Sequence, residues 1–473
     1  MKRIFISGNF NVIHTGHLRL LKFAKECGDY LIVGVNSDLV AGSDAFLKQN
    51  VRIEALKLIN FIDEILLIDC ELGDIINEIK PDIVVKGKDF EDKFNIEKLI
   101  VDKYGGRLIF SSGESFYSDS DLLSNDFFNK QNITLPDDFL NRYNISRSRL
   151  INIINNFNNI NVVVIGDLIV DEYINCEPLG ISQEDPTIVV TPIEINKFIG
   201  GAGIVASHAA GIGAKVDFIS VVGIDKESVF SKDMLKASRV NSFLFEDEER
   251  PTTLKQRFRA KNKTLLRVSK LHQNSISYEL QNKIYNKVAE IFSTKFVHLF
   301  VFSDFNYGCL PQKLVDNLIS LAKNNGSFVI ADSQSSSQMG DISRFKGLNL
   351  LTPTEHELRT SLKNREDGLV FLAESLGVGT GCNNIFLKLG KDGLMIHTKQ
   401  EKGWVTDRIN ALNSRPLDLA GAGDSMLVTA GMVIASNGNI WESAILGSLA
   451  SAIQVDRVGN TPLTKEGFIR HLK

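Results

Sequence analysis

Short apolar runs recur through the first part of the chain at Ile4-Phe5-Ile6, Leu31 to Val35, Ile65 to Ile68, Ile83-Val84-Val85 and Leu108-Ile109-Phe110. Between them lie helical patterns, such as Leu18 to Cys27 and Val51 to Phe61. Brief continuous apolar runs suit strands buried on both faces. Their alternation with helices predicts a parallel sheet with helices on both sides, whose ligand lies at the carboxyl ends of the strands. From Phe116 to Asn161 the pattern degrades, and Asn152 to Asn161 is rich in asparagine, which favours turns. This stretch reads as a helix followed by a linker. A second α/β run opens at Val162-Val163-Val164-Ile165-Gly166-Asp167 and continues to the end. It carries β-rich excursions at Ile188 to Ile195 and Thr252 to Val268; the latter alternates as an exposed or clasping sheet would. Neither half repeats the other. The expected organisation is an α/β protein of two domains, 1–135 and 161–473, joined by a helix and Asn-rich linker at 136–160.

Composition narrows the class. At 473 residues the chain is too long for one ordinary core. A formal net charge of -4 gives no broad basic footprint for nucleic acid or an anionic membrane. A local cluster, Lys255-Gln256-Arg257 with Arg259 and Lys261, can still meet phosphates. The cysteines (Cys27, Cys70, Cys176, Cys309, Cys382) lie far apart without zinc spacing, and read as reduced packing residues with no metal-ligand set. The chain starts almost directly with a strand and has no apolar run of bilayer length, so a cytoplasmic protein without a leader is expected.

The first strand runs into Gly8-Asn9-Phe10-Asn11-Val12-Ile13-His14-Thr15-Gly16-His17 and then a helix. Glycines permit close backbone approach, and a helix N-terminus offers unpaired amides to an anion. His14 and His17, flanking a glycine, place two imidazoles where they can donate to a phosphate during displacement. Zinc ligation is the competing reading, weak without Cys or acidic companions; incidental turn histidines are the bland one. These residues resemble the cytidylyltransferase-like family, whose signature reads Gly-x-Phe-Asp-x-x-His-x-Gly-His. The resemblance implies attack at the α-phosphate of a nucleoside triphosphate with release of pyrophosphate, on a Rossmann-like sheet. It implies catalytic His14 and His17, and nucleotide contacts from Gly8, Phe10, Lys86, Asp89, Ser118 and Ser120. Asn11 departs from the signature, where relatives carry Asp.

In the second half, Leu419-Ala420-Gly421-Ala422-Gly423-Asp424-Ser425 precedes a strongly apolar helix. Glycines and helix amides form an anion cradle for a transferring phosphoryl group, and Asp424 beside it can act as general base. A simple helix entry is the bland alternative. From Asn161 onward the chain resembles the ribokinase-like (PfkB) sugar kinases, an α/β fold with a small β clasp. The resemblance implies that Asp167, Asp171, Gly200, Gly201 and Arg257 meet the sugar. Glu357, Gly390, Gly421, Ala422 and Gly423 would meet the nucleotide, with ATP as co-substrate and Mg2+ as its counter-ion. Ile181 to Pro186, Thr252 to Arg257, Leu265 to Val268 and Ser303-Asp304-Phe305 narrow the resemblance to the kinase half of bifunctional ADP-heptose synthesis enzymes. There the familiar order is kinase first, the reverse of this chain, and a homodimer through the kinase half is implied. Departures fall at Ile204 and Thr354, at Asp332-Ser333-Gln334 for Asp-Pro-Lys, and at Tyr307 for a Lys.

Two functions follow. One is sugar activation: phosphorylation of a heptose 7-phosphate-like sugar phosphate at its anomeric hydroxyl, then nucleotidyl transfer, with AMP from ATP, to a sugar 1-phosphate. The other keeps a nucleotidyltransferase, able to use CTP on a sugar or alcohol phosphate, beside an inert kinase-like binding or dimerisation domain.

Overall fold

A computed structural model describes residues 2–13, 15–87, 95–111, 133–182, 184–260, 263–335 and 340–473. His14, Asp89, Ser118 and Ser120 lie outside the described residues. The chain forms two compact units, Met1–Lys130 and Gln131–Lys473.

The first unit holds a five-stranded sheet in the order β3-β2-β1-β4-β5. Its strands are β1 (Arg3–Gly8), β2 (Tyr30–Asn36), β3 (Glu64–Ile68), β4 (Ile83–Gly87) and β5 (Arg107–Ser111), matching the apolar runs of the sequence. All pairings are parallel. Alternate residues feed opposite cores: Ile4, Ile6, Val33 and Val85 on one face, Phe5, Ile32 and Val84 on the other. A sheet buried on both faces needs apolar residues at consecutive positions, which is why the runs do not alternate. The order reverses between β1 and β4, so their carboxyl ends, at Gly8 and Gly87, flank the switch point where such sheets bind ligands.

The second unit is built on a nine-stranded sheet, β10-β9-β6-β13-β14-β15-β16-β17-β18. Strands β6 (Asn161–Gly166), β9 (Lys215–Val222), β10 (Asn241–Glu246), β13 (Leu299–Asp304), β14 (Phe328–Ser333), β15 (Leu350–Leu351) and β16 (Asn384–Lys388) run parallel. Strands β17 (Leu394–Gln400) and β18 (Gly403–Ile409) close the edge antiparallel. Here too Val162 and Val164 face one core, and Val163 and Ile165 the other. The carboxyl ends of β13, β14 and β16 carry Asp304, Asp332 and Lys388. Both β-rich excursions join a separate four-stranded sheet, β12-β11-β7-β8. It comprises β7 (Leu168–Ile181), β8 (Ile188–Gly201), β11 (Thr253–Ala260) and β12 (Lys263–Lys270).

The linker expectation is corrected from Ile133 onward. Helices Asp137–Arg142 and Arg147–Asn156 belong to the second unit, with Phe139, Leu140, Leu150, Ile153, Ile154 and Phe157 in its core. The asparagines lie on the solvent face, with Asn152, Asn155, Asn156, Asn158 and Asn159 exposed between buried residues at helical spacing. They decorate an amphipathic helix rather than break one.

Candidate functional site

In the first unit, helix Thr15–Glu26 starts inside the histidine motif. The Nδ1–H of half-buried His17 donates to the Val12 carbonyl at 3.1 Å, and its ring packs 5.3 Å from Phe10. That bond fixes the ring and leaves Nε2 as the second ring nitrogen. Phe10 takes a left-handed conformation (φ 48°) and is buried. Gly8 ends β1 beneath the same ring. Asn11, where the signature has Asp, is also buried: its Oδ1 accepts from the Phe46 N–H at 3.0 Å and its Nδ2 donates to the Asp44 carbonyl at 2.8 Å. An amide can serve both, because it donates and accepts, whereas a carboxylate only accepts.

The loops around the motif are tied by Arg52, whose side chain is fully buried. Its guanidinium donates to the carbonyls of Leu47, Asn9 and Asn36 and to Asp38 Oδ1, each at 2.8 Å. The hydrogen bond from Arg52 is the largest cause holding the Asp38 carboxyl below its ordinary range. Lys86, at the end of β4, pairs with the buried Glu97 at 2.7 Å.

In the second unit, helix Ala422–Ala435 begins directly after Gly421, with Asp424 in its first turn. Gly421 sits at φ 76°, and a Cβ there would overlap Asn460 Oδ1, so the turn needs glycine. Burial, then the neighbouring Asp332, pushes the Asp424 carboxyl up to about 7. A carboxylate poised near neutrality is suited to general-base work. Its Oδ1 accepts from Gln334 Nε2 at 2.9 Å.

Across from the cradle lies one face of the four-stranded sheet. Asp171 is buried there, with Oδ2 accepting from Asn460 Nδ2 at 3.2 Å and Oδ1 3.5 Å from the Arg257 guanidinium. Any side chain at Gly200 would strike Asp171 Oδ2; Gly201 closes β8 and starts helix Ala202–Gly211. Strand alternation puts Lys255, Arg257 and Arg259 on this same face. Arg257 and Arg259 stack on Tyr173 at 5.3 and 5.1 Å, and Lys255 lies 5.1 Å over Tyr307. The Tyr173 hydroxyl donates to Asp418 at 2.9 Å, whose carboxylate also accepts from the Ala420 and Gly459 N–H groups.

Asp167 has a different place. Its carboxylate accepts from the backbone N–H of Phe305, Tyr307 and Cys309, which anchors the loop after β13, and it also lines a small pocket with Arg250, His272 and Tyr307. Glu357 is likewise engaged: it completes a capping box with Thr354 and accepts from the Ser335 N–H at 3.1 Å. Ile204 packs in the core. Gly390 opens a single helical turn after β16. The sequence reading overlooked Lys388, Asn460 and the role of Arg52. Lys388 was discoverable, as a lone charge closing the apolar run Ile385-Phe386-Leu387.

No group of three or more His, Cys, Asp or Glu able to hold a metal is present among the described residues. No helix among the described residues is long and apolar enough to cross a membrane.

Comparison with known proteins agrees with this geometry. Residues 5–136 match the cytidylyltransferase-like family. "Bifunctional protein HldE" of Desulfatibacillum aliphaticivorans is 29% identical over 312 residues, covering 64% of this chain and 61% of that protein. The Helicobacter hepaticus protein of the same name is 28% identical over 317 residues, covering 66% and 63%. The chain thus spans about three fifths of the length of these relatives. Among solved structures, Escherichia coli phosphofructokinase-2 superposes with a TM-score of 0.54 at 15% identity, over 66% of this chain and 98% of that one. Thermotoga maritima ribokinase gives 0.51 at 19%, over 66% and 99%. At such identities the likeness is one of fold. Residues 159–466, which hold the cradle, Asp424 and the cationic sheet face, match the pfkB carbohydrate kinases, and the chain belongs to that family.

Proposed function

We propose that this chain activates a sugar in two reactions. The second unit phosphorylates a sugar phosphate of the heptose 7-phosphate kind at its anomeric hydroxyl with ATP. The first transfers a nucleotidyl group, AMP from ATP, to a sugar 1-phosphate. With a 7-phosphate substrate the kinase product is a bisphosphate, so a phosphatase acts between the steps. The observation that carries the kinase reading is the buried Asp424 at an amide-lined helix start, facing a sheet with Asp171 and three cations, Lys255, Arg257 and Arg259.

In this mechanism Asp171 accepts hydrogen bonds from sugar hydroxyls and the cations meet the phosphate already on the sugar. Amides of the Gly421–Gly423 turn hold the transferring phosphoryl group. The anomeric oxygen attacks the γ-phosphorus, its proton passes to Asp424, and the bridging bond breaks with its electron pair on ADP. In the first unit, an oxygen of the sugar 1-phosphate attacks the α-phosphorus and pyrophosphate leaves. His17 donates to the charge that grows there, with Lys86 near the nucleotide. The apolar outer face of the four-stranded sheet, including Leu266, Val268 and Ile195, supports a homodimer through the kinase half, and a cytoplasmic setting is part of the same reading.

A second reading has one observation in its favour: Gln334 occupies one oxygen of Asp424, as in a kinase fold kept for binding alone. ADP formation measured with paired neutral and phosphorylated sugars decides between them. The proposal expects turnover with the phosphorylated member of a pair; no turnover with any sugar favours the binding module.

A further inference from the structure

The cradle lacks a cation where the kinase resemblance places one, since Gln334 stands in the position of a lysine. A different lysine lies beside the cradle. Lys388, at the carboxyl end of β16, reaches across to β14 and pairs with both oxygens of Asp332 at 3.0 and 2.8 Å. Its side chain is 12% exposed, and its Nζ lies 3.1 Å from where a Cβ on Gly423 would stand. An ammonium therefore sits against the first turn of the cradle helix, one residue from the base. Burial depresses Lys388, but Asp332, Glu357 and Asp424 together outweigh it and raise the group, keeping it charged. A buried ion pair adds little stability over an apolar pair of the same volume, so fold stability gives no strong reason for this one.

We infer that Lys388 is a catalytic residue that contacts the transferring phosphoryl group. The inference deepens the kinase reading and rests on it. As the anomeric oxygen bonds to the γ-phosphorus and the bond to the bridging oxygen breaks, negative charge spreads over the phosphoryl and leaving oxygens. Two of the ammonium's N–H donors hold Asp332 and the third meets that charge. Gln334 pins Asp424 Oδ1, so Oδ2 takes the hydroxyl proton. Two residues thus divide the work of one missing lysine: Lys388 supplies the charge and Gln334 aims the base.

The test uses the full chain with Lys388→Met, Lys388→Arg and the double variant Lys388→Met/Asp332→Asn, which leaves no unpaired buried charge if the single change misfolds. The inference expects Lys388→Met and the double variant to lose about 10²-fold or more in kcat. KM for the sugar phosphate should stay within about threefold, and Lys388→Arg should recover part of the rate. Calorimetric titration gives a readout independent of the sugar. Affinity for ATP should fall about tenfold or more relative to ADP, while the first unit contributes equally to every variant. A double variant with wild-type kcat and an unchanged ATP-to-ADP ratio would overturn the role of Lys388. Should the wild type phosphorylate no sugar phosphate, the kinase reading falls, and the nucleotide ratio still decides for or against Lys388.

Discussion

Substituting Gly421 by alanine perturbs the kinase cradle in two separable ways. The residue holds φ 76° and ψ 3°, a left-handed conformation that costs an alanine about 1–2 kcal/mol. The new methyl would also overlap Asn460 Oδ1. Relief requires Asn460 to move, which breaks its 3.2 Å hydrogen bond to the buried Asp171, a loss of about 1–3 kcal/mol for a bond to a charged group. Together the second unit should lose about 2–5 kcal/mol. Both tryptophans of the chain, Trp404 and Trp441, belong to this unit, so their fluorescence in urea follows it alone. Phosphorylation should slow about tenfold, equivalent to 1.4 kcal/mol, as Asp171 and the cradle shift together. An Asn460→Ala background removes the overlap and should leave only the backbone part, a coupling that a double-mutant cycle measures. A change below about 0.5 kcal/mol with an unaltered rate would refute the reasoning.

Other substitutions probe the remaining parts. His17→Ala should slow pyrophosphate release about 10²-fold, the scale for one lost donor to a developing charge; an unchanged rate would place the chemistry elsewhere. Arg52→Met removes one donor from each of three carbonyls and from Asp38, which keeps the Gln49 N–H. It should destabilise the first unit by about 1–3 kcal/mol through the buried carbonyls it leaves unpaired, read as faster amide exchange in β1 and β2 with the tryptophan transition unmoved. For Asp424, with its carboxyl pushed up to about 7, the proton-accepting form is lost as pH falls. The kinase kcat/KM should therefore drop about tenfold per pH unit below that value, and a flat profile would exclude Asp424 as the base.

Local patterns carried most of the fold. The strands of the first unit stand where consecutive apolar residues announced them, because a doubly covered sheet leaves no polar face to confuse the period. The Asn-rich segment misled because asparagine signals a turn only when the apolar residues around it lack helical spacing. Ile153, Ile154, Phe157 and Ile160 have that spacing. Glycine-rich turns revealed the cradle, since their backbone requirement is local. Asn460 and Lys388 escaped because each acts across a distance in sequence. Asn460 is brought to Asp171 by the packing of the last helices, and Lys388 to Asp332 by the adjacency of β14, β15 and β16. Asp167 adds a part its motif did not announce, holding the loop after β13 through three backbone N–H groups.

The claim of two separate phosphate chemistries is tested most directly by measuring ADP formation and pyrophosphate release in one preparation of each of two variants. Asp424→Asn should abolish sugar-phosphate-dependent ADP formation and leave pyrophosphate release intact, while His17→Ala should do the reverse. Loss of both products in either variant, or of neither, would contradict it.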